Sequence, residues 1–364
     1  MRIICTQENL RNGLQTVSRI ISNSNTLPIL NNVLMKTENG LLSLSATNLE
    51  VGISTVIRCK IEEEGSICLP AKTFTDLVNN LPNTNITISS SEGEAVITTE
   101  RYNTKVKTLP SEEFPLIPII ENAQKIAFSA GALKQALESV VFAASTSETQ
   151  PEISGVLMSQ SGNGVKFVAT DRYRLAEKTL AGLAGPQKNI IIPHKTALEL
   201  SRILMGQADD VDMLLTENQI GVSAGDTQLV SRLIDGQYPD YQQIIPENFN
   251  ATVSVAKNEL SNALKTSGIF SRNTGSVAMK YDQAGQKLVV SAVSQDLGES
   301  TVELPAEVTG SDGSIILNYR YVLEAITAMA GDSIVLKVVN ESAPVIFVPQ
   351  GDTSYVYLVM PIKS

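Results

Sequence analysis

The run ICLPAKTFTDLVNNL at residues 67–81 returns later as IIPHKTALELSRIL at residues 191–204 and as ILNYRYVLEAITAM at residues 316–329. Pro70 aligns with Pro193 at a separation of 123 residues, and the neighbouring Lys and Leu positions keep that separation. Families built from stacked repeats cycle every ~20–50 residues, so a repeat of this length corresponds to a whole domain. Three similar domains in one chain predict a curved or ring-like object.

Each copy is predicted to be an internally duplicated α+β unit in the order helix, strands, helix, strands. The first helix of each copy has apolar residues at helical spacing: Leu10, Leu14, Val17 and Ile21; Leu133, Leu137, Val140 and Val141; Leu260, Ala263 and Leu264. Hairpin signals follow at Asn39-Gly40 and at residues 162–164 and 283–285. Pro-bearing segments then set the predicted domains, which cover residues 1–122, 123–248 and 249–364.

One polar position also recurs with the repeat. Asn48 in SATNLE aligns with Asp171 in VATDRY, and Asp296 in VSQDLG takes the same place in the third copy. Asn and Asp side chains bond to nearby backbone amides in turns. The repeat therefore predicts a turn of the same kind in each domain.

Composition limits the classes of function open to the chain. Its 364 residues, 43% hydrophobic, are enough for three domains with cores of their own. Aromatic residues make up 5% and Trp is absent, which argues against a stacking platform for single-stranded nucleic acid. A net charge of −10 argues against a protein that coats nucleic acid, although a local basic patch is compatible with it.

Cysteine, histidine and hydropathy patterns give further expectations. The start MRIICTQENL has no signal-type apolar segment and no run of eighteen apolar residues occurs, so a soluble cytoplasmic protein is expected. Cys5, Cys59 and Cys68 are odd in number with apolar neighbours, which predicts buried free thiols. His194 is the single histidine and no CxxC occurs, so neither zinc, a His-based triad nor a cofactor is expected.

Four motifs in sequence order resemble those of the bacterial DNA polymerase sliding clamps, the beta subunits of DNA polymerase III. They are TLPILNNVLM (26–35), FVATDRYRLA (167–176), DGQYPDYQQIIP (235–246) and YLVMPIKS (357–364). The resemblance covers the whole chain and implies a head-to-tail homodimer whose six clamp domains close a ring around duplex DNA. Helices would line the ring and sheets would form its outer wall. Such a clamp performs no chemistry and gives the polymerase processivity through topology.

Basic residues on the polar faces of the predicted helices are candidates for the lining that faces DNA. They are Arg11, Arg19, Lys72, Lys134, Lys195, Arg202, Lys257, Lys265 and Arg320. Acidic residues lie among them, and any one of these positions also fits an ordinary solvated helix face. The mixed pattern suits a sleeve with weak, sequence-independent phosphate contacts. Ser24-Asn25 and residues 149–151 stand where many family members have Arg, which predicts weaker direct DNA contacts here.

The resemblance also implies a hydrophobic groove between domains two and three. There, polymerases, the clamp loader and repair proteins would dock short linear peptides. Its residues would be Ile153, Thr170, Arg172, Tyr173, Arg174, Leu175, Pro239, Gln243, Ile244, Leu358, Val359, Met360, Pro361 and Ile362. Ile153, Leu175, Ile244 and Leu358 fit the core equally well, whereas Arg174 is predicted to meet an acidic or amide group of the peptide. Arg172, Tyr173 and Gln243 depart from the commoner family residues, which predicts a shifted preference among peptides.

The resemblance places the dimer seam on Lys72, Arg101 and Val106 of domain one and on Ile269, Phe270 and Glu299 of domain three. Phe270 is expected to act as an anchor there, and an ordinary core position explains it almost as well.

Two other classes of function stay open. An enzyme is disfavoured because no phosphate-binding glycine motif occurs, and because the functional pattern recurs in all three copies. A clamp-fold scaffold that binds peptides without encircling DNA fits the acidic balance and the missing arginines. The retained Lys134, Lys195 and Arg202 favour the clamp over that scaffold.

Overall fold

The computed structural model describes residues 1–21, 27–91, 93–147, 149–162, 164–271 and 275–362. Thr26 of the first motif, Ser24-Asn25 and Asn163 of the second hairpin signal lie outside these ranges. Two compact units make up the chain. The first contains Met1–Gly131 and Arg202–Leu233, and the second contains Ala132–Ser201 and Ile234–Ser364. The boundary between the units falls inside the second repeat, and the three domain boundaries stay predictions.

Six α-helices occur in the described ranges, two per repeat as the sequence predicts. They are α1 (Gln7–Val17), α2 (Ala71–Asn80), α3 (Ala130–Val140), α4 (His194–Ile203), α5 (Lys257–Ile269) and α6 (Tyr319–Ala328). The periodic residues Leu10, Leu14 and Val17 are buried on α1, while Ile21 lies beyond a 3-10 turn at Ser18–Ile20. No helix of the described part is long and apolar enough to cross a bilayer.

The strands of the first unit are β1 (Arg2–Thr6), β2 (Asn32–Glu38), β3 (Leu41–Thr47), β4 (Val51–Ile57), β5 (Lys60–Glu63), β6 (Ser66–Pro70), β7 (Asn85–Ser91), β8 (Glu94–Thr98), β9 (Asn103–Lys107), β10 (Gln124–Ser129), β15 (Asp210–Leu215), β16 (Gln219–Ala224) and β17 (Thr227–Arg232). They form a five-stranded sheet, β5-β1-β7-β8-β9, and an eight-stranded sheet, β10-β15-β16-β17-β4-β3-β2-β6.

The strands of the second unit are β11 (Gly155–Ser161), β12 (Gly164–Thr170), β13 (Arg174–Ala181), β14 (Ile190–Pro193), β18 (Ala251–Ala256), β19 (Ser276–Asp282), β20 (Lys287–Ser294), β21 (Gly298–Gly310), β22 (Gly313–Asn318), β23 (Ser333–Val338), β24 (Val345–Pro349) and β25 (Tyr355–Val359). They form one twelve-stranded sheet, β14-β11-β12-β13-β25-β24-β23-β18-β21-β20-β19-β22.

Two antiparallel strand pairs join one repeat to the next. In the first junction β4 pairs with β17, with Val51 opposite Ser231. In the second junction β13 pairs with β25, with Arg174 opposite Val359. The eight-stranded and twelve-stranded sheets therefore continue from one repeat into the next, and the last strand of one repeat pairs with the fourth strand of the repeat before it.

The strongest predicted hairpin joins β2 to β3. Asn39 and Gly40 have φ angles of 53° and 77°, the left-handed conformations that a tight two-residue hairpin requires. Only residues that tolerate positive φ suit these places, which explains why this signal was readable from the sequence. The break at residues 283–285 is confirmed between β19 and β20.

The three cysteines are free thiols, as predicted, but only Cys5 and Cys68 are buried; Cys59 is half-buried. Burial raises the pKa of both the Cys5 and the Cys68 thiol to about 12.

Candidate partner-binding groove and DNA-facing helices

A tight turn at residues 170–174 begins the candidate groove. The Asp171 carboxylate accepts hydrogen bonds from the backbone amides of Tyr173 (2.9 Å) and Arg174 (3.0 Å). Thr170 Oγ1 donates to the Arg174 carbonyl at 2.6 Å and accepts from the Arg172 amide at 3.1 Å. Arg172 has a φ of 78°, a conformation that costs a non-glycine residue roughly 1–2 kcal/mol. Glycine, or Asn or Asp, suits this position better for that reason, and the side-chain bonds around it secure the turn.

Arg174 points inward from this turn and is only 9% exposed. Its Nε donates to Asp171 Oδ2 at 3.0 Å, its Nη2 donates to the Phe142 carbonyl at 2.7 Å, and its Nη1 pairs with Glu324. The guanidinium also lies over the Tyr321 ring, 4.3 Å from the centroid. Three donors of Arg174 are thus engaged inside the protein, and its predicted contact with a peptide stays a prediction.

A buried apolar cluster forms the floor of the candidate groove. Its members are Leu157, Val168, Leu175, Ile191, Tyr241, Ile346 and Leu358. Met360 packs against the cluster while half-buried, and its backbone amide donates to the Tyr173 carbonyl at 2.8 Å. This bond joins the C-terminal tail to the turn. The Ile362 amide donates to the Ile316 carbonyl at 2.8 Å, which holds the next part of the tail.

One member of this floor, Tyr241, also makes a buried polar contact. Tyr241 donates its hydroxyl proton to Glu177 Oε2 at 2.6 Å, and Lys166 pairs with the other carboxylate oxygen at 2.9 Å. Burial, reinforced by the Glu177 carboxylate, raises the pKa of Tyr241 above its ordinary value. The hydroxyl therefore stays protonated and keeps donating at pH values where an ordinary tyrosine ionises.

The fourteen predicted groove residues all lie in the second unit, and they divide into buried and accessible groups. Ile153, Thr170, Arg174, Leu175, Leu358 and Val359 are buried; Met360 and Pro361 are half-buried; Arg172, Tyr173, Pro239, Gln243, Ile244 and Ile362 are exposed. For the residues with two interpretations, Ile153, Leu175 and Leu358 are core positions, whereas Ile244 is 46% exposed. The accessible side chains that can meet a ligand are therefore those of the turn, the segment around Pro239 and the tail.

The nine predicted DNA-facing residues lie on the six helices, apart from Arg19 in the 3-10 turn after α1. Arg19, Lys72, Lys195, Arg202, Lys265 and Arg320 are exposed, and Arg11, Lys134 and Lys257 are half-buried. Lys134 pairs with Glu138 at 3.2 Å. Lys257 donates to the Met329 carbonyl just beyond the end of α6, so its ammonium is engaged within the protein.

Comparison with known proteins gives matches along nearly all of the chain. Family models of the DNA polymerase III beta subunit match the N-terminal domain at residues 1–118, the central domain at 127–240 and the C-terminal domain at 242–363. The chain belongs to this family. It is a DNA sliding clamp with three α+β clamp domains, a processivity factor and not an enzyme.

Relatives of similar length support the same assignment. The beta sliding clamp of Synechocystis sp. is 31% identical, and that of Synechococcus elongatus is 32% identical. Each alignment covers 100% of this chain and 99% of the relative. A sliding clamp from Bartonella birtlesii, solved bound to griselimycin, superposes with a TM-score of 0.93 at 29% identity and covers 100% of both chains.

Sequence reasoning missed several residues that this clamp places around the groove. Tyr241 and Ile346 belong to the floor, and Phe142 and Tyr321 surround the Arg174 guanidinium. Tyr241 lies inside the motif DGQYPDYQQIIP, so the sequence contained a signal that could have identified it. The others come from distant parts of the sequence, and no local pattern marks them.

The predicted seam residues differ in accessibility. Lys72, Arg101 and Glu299 are exposed, and Ile269 is 49% exposed at the end of α5. Phe270 is half-buried, which is compatible with both an anchor at the seam and an ordinary core position. Val106 is buried within its own unit, because alternate residues of β9 face the core, so its side chain is a core residue.

Proposed function

We propose that two copies of the chain associate head to tail in a ring that encircles duplex DNA. Such a ring would slide along DNA and tether the replicative polymerase. The polymerase, the clamp loader and repair proteins would dock linear peptides at the groove of the second junction. The protein would work in the cytoplasm.

The observation that carries the ring proposal is a strand junction that occurs twice within the chain. The strand that would make a third such junction is present, but the described part of the chain has no partner strand for it. The fourth strand of repeats one and two, β4 and β13, pairs with the last strand of the next repeat, β17 and β25. The fourth strand of repeat three is β21. Its residues 298–305 pair with β20, and no strand of the described part lies on their other side.

The complementary edge belongs to the first repeat. Its last strand, β9, ends the five-stranded sheet and pairs only with β8 among the described strands. An edge strand is a template for pairing with another chain. Pairing β9 of one copy with β21 of another would repeat the intrachain junction, and contacts of this kind close a ring when the rotation fits.

The charge distribution supports encirclement without tight gripping. Basic side chains project from the helices although the chain has a net charge of −10. Phosphate contacts from a few such residues are sequence-independent and weaken with salt. A topological link would keep the ring on DNA while these contacts stay weak enough for sliding.

The groove of the second junction supports peptide docking. It combines an apolar floor with an exposed Tyr173 and a half-buried Met360, whose thioether adapts to ligands of different shape. Because a relative was solved bound to griselimycin, we propose that this compound also binds here, and it serves as a defined probe.

The deciding experiment loads the purified protein onto nicked circular DNA with a matching clamp loader and then linearises the DNA. Retention on circles with loss from linear ends is expected for encirclement. Loss from both with griselimycin binding intact would favour the peptide-binding scaffold. Retention on both would mean direct gripping and would contradict the sliding proposal.

A variant pair tests the proposed seam. Ile269→Glu is expected to convert the dimer to monomer in analytical ultracentrifugation, because it adds a charge to an exposed apolar position at the seam. Leu41→Glu changes a comparably exposed apolar residue at the hairpin between β2 and β3 and serves as the control. Equal behaviour of the two variants would place the seam elsewhere.

A further inference from the structure

Arg174 joins the groove turn to helix α6, which is far away in sequence. On the turn side its Nε bonds to Asp171 Oδ2 at 3.0 Å. On the helix side its Nη1 pairs with Glu324 and its guanidinium stacks on Tyr321 of the same helix. Tyr357 of β25 adds a second connection, because its hydroxyl donates to the Tyr321 carbonyl at 3.0 Å. The turn is thereby fixed to α6 as well as to its own strand.

The first junction shows that such a turn forms without this link. There Asn48 accepts from the amides of Glu50 (3.0 Å) and Val51 (2.8 Å), and Leu49 has a φ of 74°. Val51 occupies the position equivalent to Arg174, and its apolar side chain cannot form an ion pair with a helix. The pairing of Arg174 with Glu324 is therefore not needed to fold the turn. Its effect is instead to fix the position of the turn relative to α6.

Glu324 lies where it can serve this purpose. Its side chain is 49% exposed, and it lines a cavity of about 530 Å³ together with Phe142, Lys265 and Glu138. At the other end of the link, Tyr173 is 64% exposed beside Met360. The Arg174 guanidinium connects these two accessible places through a buried, planar group whose donors have fixed directions.

We infer that Glu324 is a positioning residue for the partner groove. Acting through Arg174, it holds residues 171–173 in the conformation that receives a bound segment. The inference rests on the proposed function, since it gives Glu324 a role in the groove proposed there. A loop already held in its bound conformation loses less conformational freedom on binding, so affinity falls when the loop is released.

The first test measures griselimycin affinity by calorimetry for the full-length protein. Glu324→Gln keeps the size of the side chain and removes the charge that pairs with Arg174, and we expect affinity about five- to tenfold lower. Glu138→Gln removes a carboxylate from the same cavity that pairs instead with Lys134, and it is expected to leave affinity unchanged. Glu324→Asp keeps the charge on a shorter side chain and is expected to restore part of the loss.

The second test reports on the turn without any ligand. The chain contains no Trp, so Tyr173→Trp introduces a single Trp, on the turn, whose fluorescence can be excited selectively. Adding Glu324→Gln is expected to lower the fluorescence anisotropy of that Trp, while adding Glu138→Gln leaves it unchanged. A purely structural role for Glu324 would lower the melting temperature without selectively mobilising the turn.

The outcomes separate this inference from the proposed function. Unchanged affinity and anisotropy in Glu324→Gln would overturn the inference, and so would equal losses in Glu324→Gln and Glu138→Gln. Failure of the unaltered protein to bind griselimycin would count against the groove, and the anisotropy would still decide whether Glu324 positions the turn.

Discussion

The first and second junctions share a backbone arrangement but differ in the side chains it carries. In each, an Asn or Asp side chain secures a turn with a residue at positive φ, Leu49 in one and Arg172 in the other. In each, the end of the partner strand bonds back to the turn. The Arg232 amide donates to the Glu50 carbonyl at 2.9 Å, and the matching bond in the second junction is 2.8 Å.

The side chains give the two junctions different surfaces. In the first, Gly52 follows the turn and the segment linking the repeats lays Ile117 directly over it. A Cβ at Gly52 would come within 2.9 Å of Ile117 Cγ2. In the second, Leu175 takes the place of Gly52, and Tyr241 belongs to the same buried cluster. The repeated backbone joins the repeats, and side-chain replacement makes one of the joints suitable for a partner.

The largest effect is expected from Leu175→Ala. Leu175 is fully buried in the floor, and truncating such a residue costs about 2–5 kcal/mol of unfolding free energy through lost burial and the cavity left behind. Urea denaturation followed by circular dichroism measures this cost. A loss no larger than that of Gly52→Ala would contradict this prediction.

Tyr241→Phe should be the next largest change. It removes the donor to Glu177, which is buried, and an unsatisfied buried group costs about 1–3 kcal/mol. Tyr102→Phe, at an exposed tyrosine outside both junctions, is the control and should be neutral.

Tyr241 also makes the stability of the folded protein depend on pH. The pKa of Tyr241 is raised in the folded protein by burial and by Glu177. Its stabilising contribution is therefore fully present below the ordinary tyrosine pKa of about 10 and is lost as pH rises through the raised pKa. From pH 9 upward, the melting temperature should fall less steeply with pH for Tyr241→Phe than for the unaltered protein. Parallel curves of melting temperature against pH would contradict this.

Met360→Ala tests the rim of the second junction against that of the first. We expect griselimycin affinity to fall by about tenfold, near 1.4 kcal/mol, because the half-buried thioether would lie against the ligand. Arg232→Ala changes the residue whose amide makes the matching bond in the first junction, and it should leave affinity unchanged. Equal losses would mean that the ligand does not distinguish the two junctions.

Gly52→Ala should have the smallest effect, about 1 kcal/mol of destabilisation. The added methyl group meets the side chain of Ile117 at 2.9 Å, which is overpacking that a small shift of Ile117 relieves. Chemical denaturation measures it, with Gly131→Ala as the control because nothing lies within 4 Å of a Cβ there.

Local patterns predicted much of the fold. Helical periodicity located the first helix of each repeat, because a buried face repeats every 3.6 residues, and the recurring motif placed the second helix. The Asn39-Gly40 turn was readable because few residues accept its backbone angles. Val106 is buried on β9, and its place at the seam stays a prediction, since a seam position and a core position look alike in an alternating strand.

The sequence by itself determined the threefold repeat, the helices, the turn chemistry at Asn48 and Asp171, and the family, because each depends on residues near one another in the chain or on motif order. Only the tertiary structure decided that β4 closes on β17 and β13 on β25, and that Arg174 turns inward to Glu324. Those contacts join residues more than a hundred positions apart. Their selection depends on packing and on satisfying buried charge, which no local pattern records.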